Sequence, residues 1–191
     1  MEMLNIVSLV FGFGTSLLLC LVILKAEGEK KSFASFLMWG VLNAIIAFSL
    51  YVQAGNWMPV VLYAVTSFLT SICICIKFGM AWRSEDTWIA CIALTCMVTR
   101  FYVDARYVTI MTTAAVMLVG ISQLQDISRN PDLQKSWPWI GFGAAHFCSI
   151  LAGKEWSVPE RLYPTACLLF SLLLILQVHK KSNRTFLNTV F

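Results

Sequence analysis

The chain has 191 residues, of which 59% are hydrophobic and 13% are charged, and its formal net charge is +4. Soluble domains are about 45–50% apolar and about 25% charged, and a soluble protein of this size cannot bury so much apolar surface in one core. The composition therefore predicts an all-α integral membrane protein, because helices satisfy their own backbone hydrogen bonds within a bilayer. We expect no separate soluble domain.

Seven hydrophobic segments follow one another along the chain: residues 4–24, 33–52, 58–78, 87–103, 108–127, 137–151 and 162–178. The first, second, third and fifth approach the roughly 20 residues that a helix needs to cross a bilayer. The fourth and sixth are shorter, so six spans is the competing count. The first segment lacks a basic leader and a small-residue cleavage pattern, and we expect it to be a retained span rather than a signal peptide.

Lysine and arginine are distributed unequally between the two sets of connections. The first, third and fifth connections and the tail carry ten: Lys25, Lys30, Lys31, Lys77, Arg83, Arg129, Lys135, Lys180, Lys181 and Arg184. The opposite side carries four: Arg100, Arg106, Lys154 and Arg161. Cytoplasmic loops hold the excess, which predicts a cell (inner or plasma) membrane protein with its amino terminus outside and its carboxyl terminus in the cytoplasm. Because no folded domain presents a basic face, no nucleic-acid partner is expected.

The third and seventh segments resemble each other at an offset of one hundred positions. Leu62-Tyr63 opens one and Leu162-Tyr163 opens the other, and Ser71 and Ser171 follow in register. This pattern predicts two copies of a three-helix unit, residues 1–80 and 106–191, joined by a linking helix in residues 81–105. Because each unit has three helices, the second copy would be inverted in the membrane without the fourth helix. With it, the repeats are parallel, in a 3+1+3 arrangement. A short basic cytoplasmic tail follows the last helix.

Residues around the fifth–sixth connection resemble a known motif. Ser122-Gln123, then Arg129, then Lys135-Ser136 is similar to the PQ-loop pattern, with Ser122 in place of proline, and Lys31-Ser32 occupies the matching loop of the first half. The chain thus resembles the SWEET and PQ-loop superfamily of seven-helix membrane proteins, especially its small uncharacterised bacterial members. It also shares the broad layout of the nicotinamide riboside transporters. The resemblance implies two three-helix repeats and transport by alternating access.

One feature departs from that family. SWEET sugar pockets use an asparagine in the third helix of each unit, and segments 58–78 and 162–178 contain none. Sugar is therefore not the expected substrate.

Two polar side chains lie at membrane depth, Asn43 in the second segment and His146 in the sixth. Aligning the two Lys-Ser pairs places them one residue apart in the two copies. Because polar groups in spans usually face the bundle interior, we predict that they flank one central cavity and bind a small solute. Trp39, one helical turn from Asn43, offers a flat surface for a ring. The alternative is that Asn43 and His146 form interhelical hydrogen bonds and Trp39 is a packing residue.

For the other polar positions we expect structural roles and keep a functional role as the alternative. Ser122, Gln123, Asp126 and Arg129 lie at the cytoplasmic end of the fifth segment, where Asp126 and Arg129 are spaced to pair on one helix face; an inner gate is the alternative. Arg100 and Asp104 have a similar helical spacing. Gly12-x-Gly14 and Gly141-x-Gly143 permit close helix approach or bending.

The sequence predicts a multi-pass transporter or facilitator of a small uncharged or weakly cationic metabolite. The alternative is a non-transporting membrane interaction or assembly subunit. No enzymatic activity, cofactor or metal is expected, because the spans hold no His/Asp/Glu cluster, nucleophile elbow or carboxylate pair. The seven cysteines are interpreted as small buried hydrophobes. The expected partners are membrane lipid, the solute and, as a possibility left open, further copies of the chain.

Overall fold

The computed structural model describes residues 2–25, 32–80, 82, 84–129 and 135–190, apart from the side chains of Glu85, Asp126, Arg129, Pro159 and residues 181–190. This part of the chain forms seven helices. They are α1 (Glu2–Lys25), α2 (Phe33–Val52), α3 (Met58–Phe78), α4 (Ser84–Thr99), α5 (Ala105–Arg129), α6 (Trp137–Ala152) and α7 (Val158–Val190). The predicted all-helical architecture and the number of helices are therefore confirmed for the described residues.

Five of these helices are long and apolar enough to cross a membrane: α1, α2, α3, residues Ala105–Gln125 of α5 and residues Glu160–Lys180 of α7. Helices α4 and α6 have 16 residues each, which is below the usual spanning length. The protein is accordingly built as a multi-pass membrane protein, with two helices shorter than the rest.

Two boundaries differ from the sequence prediction. Helix α4 ends at Thr99 rather than at residue 103, because Phe101 and Tyr102 donate their N–H groups three residues back, to Val98 and Thr99, and the chain turns. The expected helical spacing of Arg100 and Asp104 is therefore wrong. The Asp104 carboxylate instead accepts the backbone N–H of Arg106 at 2.8 Å, at the start of α5.

The carboxyl-terminal segment is the second difference. Helix α7 begins at Val158, four residues before the predicted start, and its backbone stays helical to Val190 where a short tail was expected. No glycine or proline follows Pro164, so nothing in this stretch favours ending the helix.

The helices of each half adjoin one another in the same order. Helix α3 packs against both α1 and α2, and α7 packs against both α5 and α6. The halves then meet at two contacts, α1 with α6 and α2 with α5, which closes a central ring of six helices. Helix α4 lies outside this ring against α2 and α5. The ring leaves a common interior that all six helices face.

Close helix approach occurs at two of the predicted glycines. A methyl group at Gly12 would lie 2.8 Å from a ring carbon of Tyr63 on α3, and one at Gly141 would overlap the Thr15 side chain on α1. Gly14, by contrast, has nothing within 4 Å of the corresponding position. Gly12 and Gly141 thus allow α1 to pack tightly against α3 and α6, as expected for small residues at membrane helix interfaces.

The bundle places small hydroxyl side chains inside and large apolar side chains outside. Ser16, Thr66, Thr70, Thr109 and Thr113 are all buried, whereas many Leu, Ile, Val and Phe side chains of α1 and α7 are exposed. Each of these five hydroxyls donates to a carbonyl of its own helix; for example, Thr113 donates to the carbonyl of Thr109 at 2.7 Å. This distribution suits a protein whose outer surface contacts lipid.

Candidate functional site

A cavity of about 80 Å³ lies in the common interior of the six-helix ring. Every helix of the ring contributes to its wall, and α4 does not. None of the lining residues, all of which are described, is Asp, Glu, Lys or Arg; the wall combines aromatic rings with hydroxyl, amide and imidazole groups. Such a mixture of apolar surface with a few polar groups is typical of small-molecule sites.

The three predicted solute-binding residues all line this cavity. Asn43 and Trp39 reach it from α2, and His146 reaches it from α6. The four-residue spacing of Trp39 and Asn43 puts them on one face of α2, and the close approach of α6 to α1 brings His146 inward. The structure therefore brings together the residues that the two halves supply separately in sequence.

Asn43 is held by a hydrogen bond across the cavity. The hydroxyl of Tyr163 on α7 donates to Oδ1 of Asn43 at 2.8 Å, and both side chains are buried. This bond joins the second helix of the first half to the third helix of the second half. Asn43 is thus both an interhelical hydrogen-bonding residue and part of the cavity wall.

His146 makes the corresponding contact with the other half. Its ring centroid lies 4.6 Å from that of Tyr63 on α3 and 5.8 Å from that of Tyr163. Tyr63 in turn lies within hydrogen-bonding distance of Ser8, with 3.3 Å between the hydroxyl oxygens. His146 is only 6% exposed, and its Nδ1 is buried without a hydrogen-bond partner. A buried imidazole nitrogen without a partner is costly, so this atom is a candidate for contact with a ligand.

Trp39 is both a packing residue and part of the cavity wall, the two roles that the sequence left open. Its indole N–H donates to the carbonyl of Val116 on α5 at 3.1 Å, which ties α2 to α5. Its ring meets Phe36 edge to face with centroids 5.3 Å apart, and it also borders the cavity. The indole therefore has a fixed orientation within the wall.

One end of the bundle is closed by a buried carboxylate. Glu160, near the start of α7, accepts the N–H groups of Asn56 and Lys154 at 2.9 Å each and that of Glu155 at 2.6 Å. Asn56 lies in the α2–α3 turn, and its side-chain amide donates to Asn5 of α1 at 2.7 Å. Of these three charge-assisted bonds, the one from Asn56 joins the two halves, and the other two hold the α6–α7 connection against the start of α7.

The predicted motif of α5 lies at the opposite end. The hydroxyl oxygens of Ser122 on α5 and Ser35 on α2 are 2.7 Å apart, and Ser32 caps α2 by accepting the N–H of Ser35 at 3.2 Å. Gln123 is buried, and its Nε2 has no partner. The side chains of Asp126 and Arg129 lie outside the described residues, and so does Lys31.

Two groups of residues at this site were not singled out as functional by the sequence. In the sequence, Tyr63 and Tyr163 were noted only as markers of the repeat. Their equivalent positions in the two copies were the available indication that both occupy matching places. Glu160 gave no such indication, because an acidic residue in the first turn of a helix usually reflects the helix dipole alone. Among the described residues, no three His, Cys, Asp or Glu side chains lie close enough together to hold a metal ion.

Comparison with protein-family models, with characterised proteins and with solved structures finds no match for this chain. The residues and their geometry are therefore the basis on which a function is inferred.

Proposed function

We propose that this protein is a membrane transporter or facilitator that moves a small uncharged or weakly cationic metabolite by alternating access. The observation that carries the proposal is the cavity bordered by Asn43, His146 and Trp39 inside a ring of apolar helices. A purely structural subunit gains nothing from an interior cavity bordered by an imidazole nitrogen that no protein group binds, since both features lower stability.

The arrangement of the halves supports this mechanism. Each half packs its third helix between its first two, and each half's polar residue contacts the other half's tyrosine: Asn43 with Tyr163, and His146 with Tyr63. We infer that the halves are parallel repeats related by a pseudo-two-fold axis along the membrane normal, as in SWEET-like proteins, with α4 as the linker. Rocking of one repeat against the other then exposes the cavity to each side in turn.

The two ends of the bundle differ in a way that fits one state of such a cycle. The Glu160 cluster closes the end at which α3 and α7 begin. From the Asn43–His146 level the cavity extends the other way, past Phe36 and Trp139, toward the end at which α2 and α6 begin. With the orientation inferred from the lysine and arginine distribution, the closed end faces outward and the Ser35–Ser122 contact belongs to an inner gate.

The test is a comparison of metabolite uptake between the wild-type protein and its His146→Leu variant. Both are expressed at equal membrane levels, and small metabolites in the cells and medium are compared by mass spectrometry with cells that carry an empty vector. At least one small neutral or weakly basic compound is expected to change with the wild-type protein and to return to the empty-vector level with His146→Leu. Thr113→Val, a buried change away from the cavity, serves as the matched control.

Identical metabolite profiles for all four strains would overturn the transport proposal and favour the interaction-subunit alternative.

We further propose that the protein has no enzymatic activity of its own, since no group on the cavity wall is arranged as a nucleophile with its base.

A further inference from the structure

Two facing sides of the cavity differ in polarity. The helix contacts give the ring the order α1, α3, α2, α5, α7, α6, so α1 and α3 lie across the cavity from α5 and α7. The α1–α3 side presents the hydroxyl groups of Ser16, Thr66, Ser67 and Thr70, which we call the polar wall. The α5–α7 side presents the side chains of Val116, Met117, Cys167 and Phe170, which we call the apolar wall. A solute between the two walls therefore meets different chemistry on its two edges.

Two hydroxyl groups of α7 also border the cavity, and both lie at the margins of the apolar wall. The hydroxyl of Tyr163 donates across to Asn43 of α2 at 2.8 Å. Ser171 lies beside α6, since a methyl group at Gly143 would be 3.6 Å from its Cβ. Neither group makes the centre of the apolar wall polar.

The difference between the walls runs against the sequence repeat. The offset of one hundred positions places Cys167 at the counterpart of Ser67 and Phe170 at the counterpart of Thr70. Each pair puts a hydroxyl on the polar wall and a hydrophobic side chain on the apolar wall, since a buried thiol behaves as a small hydrophobe. A solute with polar groups on every edge would leave some of them unbonded against the apolar wall, which is costly.

The polar groups that remain free for a solute include both acceptors and donors. Ser16, Thr66 and Thr70 each donate to a carbonyl of their own helix, so they offer lone pairs. The donors that no described group binds are the Asn43 amide nitrogen, the Trp139 indole N–H and the hydroxyls of Ser67 and Ser171. In its neutral form, His146 adds one donor and one acceptor. A polar group that both donates and accepts can therefore be satisfied here.

The lining carries no formal charge. None of its residues is Asp, Glu, Lys or Arg. A charged solute would leave water for a buried site without a counter-charge, and burying an unpaired ion is costly. The cavity therefore favours an uncharged solute.

The size of the cavity limits the solute further. A cavity of about 150 Å³ holds benzene, and one water molecule takes about 30 Å³ of liquid volume. A cavity of about 80 Å³ therefore admits a group of about four non-hydrogen atoms.

Resting on the proposed transport function, we propose that the solute is a small uncharged amphipathic molecule. Its single polar group, which both donates and accepts hydrogen bonds, faces the polar wall, and its apolar remainder packs against the apolar wall. Polyols are excluded because they would bury hydroxyls against Cys167 and Phe170, and ions are excluded because no counter-charge faces them.

The experiment compares four probes that share one planar, three-branched shape. Acetamide has an amide and a methyl group, urea replaces the methyl with a second amino group, guanidinium is a cation and acetate is an anion. Their dissociation constants are measured on the purified full-length protein in lipid nanodiscs, from the nuclear magnetic relaxation of isotope-labelled probes. Empty nanodiscs give the background for each probe.

We expect saturable binding of acetamide, with a dissociation constant for urea at least about tenfold higher, which corresponds to about 1.4 kcal/mol. The cause is the second amino group of urea, which has no partner on the apolar wall. Guanidinium and acetate should show no saturable binding.

A pair of variants tests the polar wall. The double change Thr66→Val and Thr70→Val keeps the side-chain shape and removes two acceptors, so the dissociation constant of acetamide should rise about tenfold. Thr113→Val removes a buried hydroxyl with the same bonding pattern outside the cavity and should leave it unchanged. An equal rise in both would overturn the assignment of these hydroxyls to the solute.

A second pair tests the apolar wall. Cys167→Ser gives α7 the residue that α3 has at the matching position and adds a hydroxyl with almost no change in volume. The preference for acetamide over urea should then fall at least about threefold, because the second amino group gains a partner. Cys96→Ser, a buried change on α4 outside the cavity, should leave the preference unchanged. An unchanged preference in Cys167→Ser would overturn the role of this wall.

The outcomes separate this proposal from transport itself. Urea binding as tight as acetamide, binding of either ion, or no saturable binding of any probe would each overturn the amphipathic-solute proposal. Transport is judged separately by the metabolite profiles of the cell experiment, which does not use these probes. Selective acetamide binding with unchanged metabolite profiles would support the binding site and overturn transport.

Discussion

The hydroxyl of Tyr163 donates to the amide oxygen of Asn43 at 2.8 Å and links the two halves of the bundle through the centre of the ring. The two residues are 120 positions apart in sequence, and both are buried. Since their helices belong to different halves, this bond must lengthen or break if the halves rock against each other. It is therefore a stabilising contact and, in the transport cycle that we propose, a point at which the motion is controlled.

This bond should be measurable as a coupling free energy. In a double-mutant cycle with Tyr163→Phe and Asn43→Leu, unfolding in lipid–detergent mixtures should give a coupling of about 0.6–1.7 kcal/mol, the range for hydrogen bonds between membrane helices. Tyr102→Phe, which alters a tyrosine that is 85% exposed, should show no coupling with Asn43→Leu. Strict additivity of the Tyr163 and Asn43 changes would contradict the bond.

The glycines of α1 offer a matched pair of substitutions. Gly12→Ala places a methyl group against the Tyr63 ring, so the ring must move, and overpacking of this kind costs about 1–3 kcal/mol. Gly14→Ala meets nothing within 4 Å and should be neutral or stabilising by up to about 1 kcal/mol, because alanine favours the helix. Thermal unfolding in detergent compares the two. Equal effects of both changes would mean that α1 and α3 are not in close contact at Gly12.

The Glu160 cluster should control opening of the end that it closes. Glu160→Gln removes the negative charge and one acceptor oxygen, which leaves one of three backbone N–H groups without a partner and costs about 1.5–3 kcal/mol. Hydrogen exchange at Asn56, Lys154 and Glu155 should then accelerate about tenfold or more. Glu155→Gln, whose carboxylate is exposed, is the control and should leave those rates unchanged. Slow exchange in Glu160→Gln would show that other contacts hold this end shut.

The inferred orientation can be tested with reporters at the two ends of the chain. Seven spans and the excess of lysine and arginine on one side lead us to expect the amino terminus outside and the carboxyl terminus in the cytoplasm. A fluorescent protein fused after Phe191 should be active, whereas one fused before Met1 should not fold after translocation. Alkaline phosphatase fusions should give the opposite pattern. Termini on the same side of the membrane would refute an odd number of spans.

The sequence alone determined the class of structure and most of its helices. Apolar composition and segment lengths require helices in a bilayer, and this constraint does not depend on how the helices pack. Asn43 and His146 were also identifiable from sequence as interior positions, because a polar side chain at that depth has few stable alternatives. The helix boundary after Thr99 was missed, since a turn stabilised by local bonds is not visible in an apolar run.

The tertiary structure alone decided which side chains meet. Helices α3 and α7 each pack between the other two helices of their half, and this arrangement brings Tyr63 beside His146 and Tyr163 beside Asn43. Nothing in the sequences of the segments specifies that packing order. A Leu-Tyr pair near the start of an apolar helix suits either the membrane interface or the interior, so its role depends on its neighbours. Glu160 shows the same limit: a carboxylate at a helix start becomes a closure between halves only when folding brings the α2–α3 turn within reach of it.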